Sequence, residues 1–407
     1  MKTLRSVLIR IPVFLLILVL IACGSLGVNQ PTATWQVANP SETEESYTIP
    51  TIETYPTPTF AVTINPTEMP TQVSANPGQI AYISGGNIWR YLISDGQTIQ
   101  VTMDGAAANP ETSYTNPQFS PDGRYMAFTK NDISSIADLT SGDVIDLTGH
   151  GRFFRWDLSG NQFFTTRGDF ECPPLDNLDQ QDLLNFDVLL YNLSDLETPE
   201  IIANVGGGLK FLTAISNDGQ WAGIQNCYCY SECGATSLWH LPTASIITMP
   251  EELSAGNLDF SPDASQVIIS QYQMYGYVQS PLYVAGSDLY NMNVVFEEAD
   301  VAPGLALWSP DGAWIAFTAI TFNQVSMEAT DSRVILIRPD GSEMTTVTSG
   351  LSELVDWSPD SGKLLYKTGD PSFETFYIYD LDDWSHTPVS ITIDPYTSRS
   401  IDWGRLP

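Results

Sequence analysis

The chain has 407 residues, 48 acidic side chains against 16 basic ones, and a net charge of -32, which repels phosphate backbones and excludes a nucleic-acid partner. A hydrophobic content of 43% is too rich for a disordered acidic chain, and ten Trp, 18 Tyr and 17 Phe beside three His point to a sheet protein rather than a histidine-based metalloenzyme.

In chain order, Lys2, Arg5 and Arg10 come first, and the apolar stretch from Ile11 to Ile21 has the layout of a secretory signal. It ends in Leu20-Ile21-Ala22-Cys23, which resembles the bacterial lipobox, whose cysteine receives diacylglycerol after cleavage. The resemblance implies a signal peptide over 1–22, an exported chain and a lipid anchor at Cys23. The acidic balance opposes adsorption to anionic lipid, so the anchor is the expected sole membrane contact.

Eight prolines and eleven threonines stand between Pro31 and Pro77, with no Lys or Arg from Arg10 to Arg90. No period of 2 or 3.6 emerges, so 23–77 reads as a lipid-anchored, Thr/Pro-rich disordered tether.

From residue 78 to 407 a repeat decides the reading. Gln118-Phe119-Ser120-Pro121-Asp122-Gly123 is echoed in Arg155-Trp156-Asp157-Leu158-Ser159-Gly160, Ala214-Ile215-Ser216-Asn217-Asp218-Gly219, Asp259-Phe260-Ser261-Pro262-Asp263-Ala264, Leu307-Trp308-Ser309-Pro310-Asp311-Gly312 and Asp356-Trp357-Ser358-Pro359-Asp360-Ser361. The aromatic or Ile marks are spaced by 37, 59, 45, 48 and 49 residues, near the period of a four-stranded propeller blade. Pro presets φ and Asp-Gly suits a tight turn, so each copy closes a hairpin between a first and a second strand. The second strands, such as Tyr125-Met126-Ala127-Phe128, are apolar throughout, as expected of strands covered on both faces. Residues 79–102 supply second, third and fourth strands with no first. Ser400-Ile401-Asp402-Trp403-Gly404 matches the first strand of the preceding copy, so the fold expected is all-β, a seven-bladed β-propeller closed by pairing of the C-terminal strand with the N-terminal blade.

These repeats resemble the TolB-like, WD40-like propellers with Pro-Asp repeats. That resemblance implies fold rather than activity. TolB itself resembles a six-bladed ring behind a small α/β domain, whereas seven marks and a tether are found here.

Parity places the loops between second and third strands at one end of the ring. Four consecutive blades, the third to the sixth, lengthen them, at about 168–186, 226–236, 273–281 and 320–331. This face is the expected binding surface. Its candidate aromatic contacts are Tyr228, Tyr230, Tyr272, Tyr275 and Tyr277. Cys172 in the first insertion and Cys227, Cys229 and Cys233 in the second favour two disulfides over a zinc site, with three pairings open and Cys227 with Cys229 the least favoured. Asp176, Asp179 and Asp182 are weak candidates for a cation, a solvated acidic face being the better account.

His150, His240 and His386 are assigned to a crossover, a third strand and a three-to-four loop, and so should not converge; no Gly-x-Ser-x-Gly elbow occurs. The reading is a tethered, monomeric, extracytoplasmic binding or scaffold module for an envelope or cell-surface protein or polysaccharide, without cofactor. The alternative is a glycan hydrolase or lyase working through carboxylates of the propeller channel.

Overall fold

The computed structural model describes residues 78–107, 112–131, 133–150, 154–168, 186–205, 209–227, 233–249, 257–270, 280–323, 325–326, 328–369, 374–394 and 400–407. Everything read above from 1–77 lies outside them. The described residues form seven four-stranded antiparallel sheets and one 3-10 turn, Leu241–Thr243, and no helix among them is long and apolar enough to cross a membrane.

The inner strand of each blade carries one mark. In order they are Asp402–Gly404, Tyr114–Phe119, Phe154–Trp156, Leu209–Ile215, Asn257–Phe260, Val301–Trp308 and Ser352–Trp357. Blade 1 is completed from both ends of the domain: Gln79, Ile80 and Ala81 pair with Gly404, Trp403 and Asp402. The expected closure is therefore present.

Near-continuous apolarity of the second strands has a direct cause in the packing. Seven buried clusters are found among the described residues, and each lies between two neighbouring blades. Because successive side chains of a strand point to opposite faces, Ile268 packs towards blade 6 while Val267 and Ile269 pack towards blade 4. Ala316 and its neighbours Ile315 and Phe317 divide in the same way between the two sides of blade 6. A polar side chain on either face needs a partner in the packing, as buried Thr318 has in the Leu354 N–H, 2.9 Å from its Oγ1.

The turn motif is held by its serine. Ser120 is 1% exposed; its Oγ donates to Asp122 Oδ1 at 2.6 Å and accepts from the Tyr125 N–H at 2.9 Å. The same pair of bonds recurs at Ser216, Ser261, Ser309 and Ser358. In blade 3 the roles are redistributed: Asp157 stands at the serine position and accepts from Gln162 N–H directly, at 3.0 Å.

Two of the four expected insertions are mainly longer strands. In blade 4 the second and third strands run Trp221–Cys227 and Cys233–His240, and in blade 6 they run Ile315–Phe322 and Ala329–Ile337, so the ladder continues well past the usual length. The connections in blades 3 and 5, after Gly168 and after Ser270, are the long ones. Two histidines also sit differently: His150 ends the outer strand of blade 2 and His386 opens the outer strand of blade 7. His240 ends a third strand as expected.

Candidate functional site

Most residues proposed for the insertion face lie outside the described ones: Cys172, Cys229, Tyr228, Tyr230, Tyr272, Tyr275, Tyr277, Asp176, Asp179 and Asp182, as does Cys23. Cys227 and Cys233 are placed by their backbone. They are register partners at the end of the blade 4 hairpin, the separation at which antiparallel neighbours bring their Cα atoms to about 4.5–5.5 Å.

What the described residues do bring together is a ring of side chains around the axis. The position before each mark is held by Gln118, Arg155, Ala214, Asp259, Leu307, Asp356 and Asp402. From blade 4 round to blade 3 the inner strands lie side by side, and the carboxylates at this position reach main-chain N–H groups of the next inner strand. Asp402 Oδ2 accepts from the Phe119 N–H at 2.7 Å, linking blade 1 to blade 2. Asp356 Oδ2 accepts from Trp403 N–H at 2.8 Å, and Asp259 Oδ2 from Trp308 N–H at 2.9 Å. Where no carboxylate stands, an indole or an amide takes over. Trp156 Nε1 donates to Gln118 O and Trp357 Nε1 to Leu307 O, both at 3.3 Å, while Asn217 Nδ2 donates to Pro262 O at 3.1 Å. Arg155 completes the circuit, its Nε donating to Asn217 Oδ1 at 3.2 Å and its Nη1 lying 3.3 Å from Asp259 Oδ1. All seven blade-to-blade steps thus carry a polar stitch.

The electrostatics follow from the crowding. Burial pushes Asp402 up to about 7, against the opposing pull of its bond from Phe119. Burial, then the neighbouring Asp402 charge, pushes Asp356 well above the usual carboxylate range. Asp259 is also raised by burial, and Arg155 holds it back. A buried carboxylate of this kind sheds charge by keeping its proton.

The expected channel carboxylates therefore exist, but they are engaged with main-chain donors of the next blade rather than opposed as a free acid and base. Among the described residues no group of three or more His, Cys, Asp or Glu is placed to hold a metal ion. The sequence signal was the dipeptide Asp-aromatic at Asp259-Phe260, Asp356-Trp357 and Asp402-Trp403.

Two solved structures with TM-scores above 0.5 agree with this architecture. The model of the dipeptidyl peptidase IV N-terminal region matches residues 41–149, about a quarter of the chain. A prolyl endopeptidase structure superposes with a TM-score of 0.55 at 11% identity, over 77% of this chain and 50% of that one. Oligogalacturonate lyase from Vibrio parahaemolyticus gives 0.53 at 12% identity, over 75% and 92%. TolB from Acinetobacter baumannii overlaps at 0.43 and 13% identity, over 80% and 82%, too distant for argument. Among curated proteins, enoyl-[acyl-carrier-protein] reductase [NADH] of Shewanella baltica is 26% identical over 145 residues, 33% of this chain and 36% of that protein. The chain thus spans about a third of the length of the curated relatives it matches and half of the endopeptidase chain. At these identities the structural likenesses establish the fold alone. The class defined is an all-β, seven-bladed propeller with a closed ring and a stitched axis.

Proposed function

We propose that this protein is a lipid-tethered, extracytoplasmic propeller that serves as a binding or scaffold module for an envelope protein or polysaccharide. The observation that carries the reading is the engagement of the axial carboxylates. A glycosidase needs one carboxyl free to protonate the leaving oxygen and a second free to attack or to activate water. Asp259, Asp356 and Asp402 each have an oxygen committed to the next blade, and Asp259 also faces Arg155. A stitched ring is instead a rigid platform for loops.

The face carrying the connections of blades 3 to 6 is the proposed contact surface. Crosslinking followed by pull-down, comparing wild type with a chain whose 273–281 loop is shortened, tests it. Partner recovery is expected to fall at least tenfold; equal recovery would discredit this face. Anchoring is tested separately. Cys23→Ala is expected to release the chain from the membrane fraction and abolish incorporation of labelled fatty acid, and a wild-type chain that takes up no label would refute the anchor.

A further inference from the structure

Outside the axis, the described residues contain a cleft between blades 6 and 7, with a volume of about 400 Å³. Its origin is a short strand. The outer strand of blade 6 is the two-residue Thr345–Thr346, against three residues in blade 1 and four in each of blades 4, 5 and 7. After it the chain crosses to blade 7, leaving part of that blade's face uncovered. Thr346, Thr348 and Ser349 line one wall, and Ser352, Tyr366, Thr368 and His386 line the other.

The chemistry of this lining is unusual for so acidic a chain. None of its residues is Asp, Glu, Lys or Arg, yet six carry a hydroxyl. Two hydroxyls serve the fold: Thr348 Oγ1 accepts from Val334 N–H at 3.0 Å, and Ser352 Oγ donates to Gly350 O at 3.1 Å. The side-chain hydroxyls of Thr346, Ser349 and Thr368 have no hydrogen-bond partner among the described residues, although Thr346 and Thr368 take part in the sheet ladders through their backbones. Tyr366 and His386 form the back of the site. Tyr366 Oη lies 2.8 Å from His386 Nδ1, and the two rings meet edge to face with centroids 5.7 Å apart. Burial pushes the Tyr366 hydroxyl up to about 12, so it stays protonated and does not become an anion. Tyr377 stacks behind Tyr366 at 5.4 Å and Tyr379 lies 5.0 Å from His386, which fixes both rings.

A fixed anion would seek Arg, Lys or a cluster of main-chain N–H groups, and a cation would seek carboxylates. Hydroxyls donate and accept equally, so a wall of them matches a ligand that does the same. The depression is shallow and largely open to solvent, so it suits one unit of a longer chain laid across the surface rather than an enclosed ligand. We propose that the cleft between blades 6 and 7 is a binding site for a neutral saccharide unit, held by Thr346, Ser349 and Thr368 against the Tyr366–His386 pair. The proposal goes beyond the insertion-face reading and does not depend on it.

Calorimetric titration of the full chain in detergent with maltohexaose, cellohexaose, chitohexaose and hexagalacturonate tests the assignment. At least one neutral hexasaccharide is expected to bind, and hexagalacturonate to bind at least tenfold more weakly. The double variant Thr346→Val with Thr368→Val keeps shape while removing two hydroxyls. It should weaken the neutral sugar by about tenfold, ~1.4 kcal/mol, with an unchanged melting midpoint. The chain with a shortened 273–281 loop should bind the sugar as wild type does, whatever becomes of its partner capture. Failure of all three neutral sugars, preference for the acidic one, or binding unaffected by the valine pair would overturn the proposal. So would sugar binding lost only in the loop-shortened chain, which would place the saccharide at the blade 5 connection instead.

Discussion

A chain lacking residues 400–407 is expected to lose its cooperative thermal transition, because the segment supplies the inner strand of blade 1 and several contacts beyond it. Three ladder pairs with Gln79, Ile80 and Ala81 would go. Trp403, 4% exposed within the cluster between blades 7 and 1, would go with them. Gln79 Nε2 also donates to Arg405 O at 2.6 Å, and the Asp402 and Asp356 stitches both depend on this strand. The fit is close: a Cβ on Gly404 would stand 2.4 Å from the Phe119 ring. Removing one buried Trp alone costs about 3–5 kcal/mol, a large part of a typical ~5–15 kcal/mol stability. Trp403→Ala should therefore lower the urea midpoint strongly, and the deletion should yield a broad, protease-sensitive species. Circular dichroism melts and limited proteolysis provide the check; a deletion chain melting like wild type would show that the ring does not need its last strand.

The second large effect is on pH. Asp402 holds its proton up to about 7 in the folded chain and gives it up near 4 when unfolded. The folded state thus binds more protons between these values, so this contribution is fully present below about pH 4 and is lost as pH rises through about 7. Asp356 and Asp259 are shifted in the same direction. The protein is expected to be more stable at pH 5 than at pH 8, and Asp402→Asn separates the axial contribution from general repulsion among surface acids. An amide oxygen still accepts from Phe119 N–H and carries no charge, so the variant should gain on the order of 1–3 kcal/mol at pH 8 and little at pH 5. The lower end allows for the partial exposure that Asp402 retains. Urea denaturation at both pH values measures it; a variant destabilised equally at both would show that the carboxylate is needed ionised.

The contrast between what the amino acids announce and what they conceal is physical. Ser-Pro-Asp-Gly turns are legible because their determinants are local: Ser, Asp and the next strand's N–H lie within five residues of one another. Closure was legible because Trp403 repeats a mark and residues 79–102 lack one. Asp402 and Asp356 were visible as residues but not as stitches, since their partners are 283 and 47 residues away. The long hairpins of blades 4 and 6 look like loops in the sequence because Gln225-Asn226 and Thr330-Asp331 are polar, although the ladders continue past them through an irregularity in register. The cleft between blades 6 and 7 is set by where an outer strand stops, a matter of packing between sheets that no short motif records.

The shared first blade also sets a clock. Gln79–Ser84 belongs to the first part of the domain to be synthesised, yet its inner neighbour is among the last. During synthesis six blades can assemble while the seventh waits with one side of that strand bare, a template for the wrong pairing. Maturation of the ring is therefore governed by arrival of the tail, and nicking of the tail would return a finished molecule to that unguarded condition.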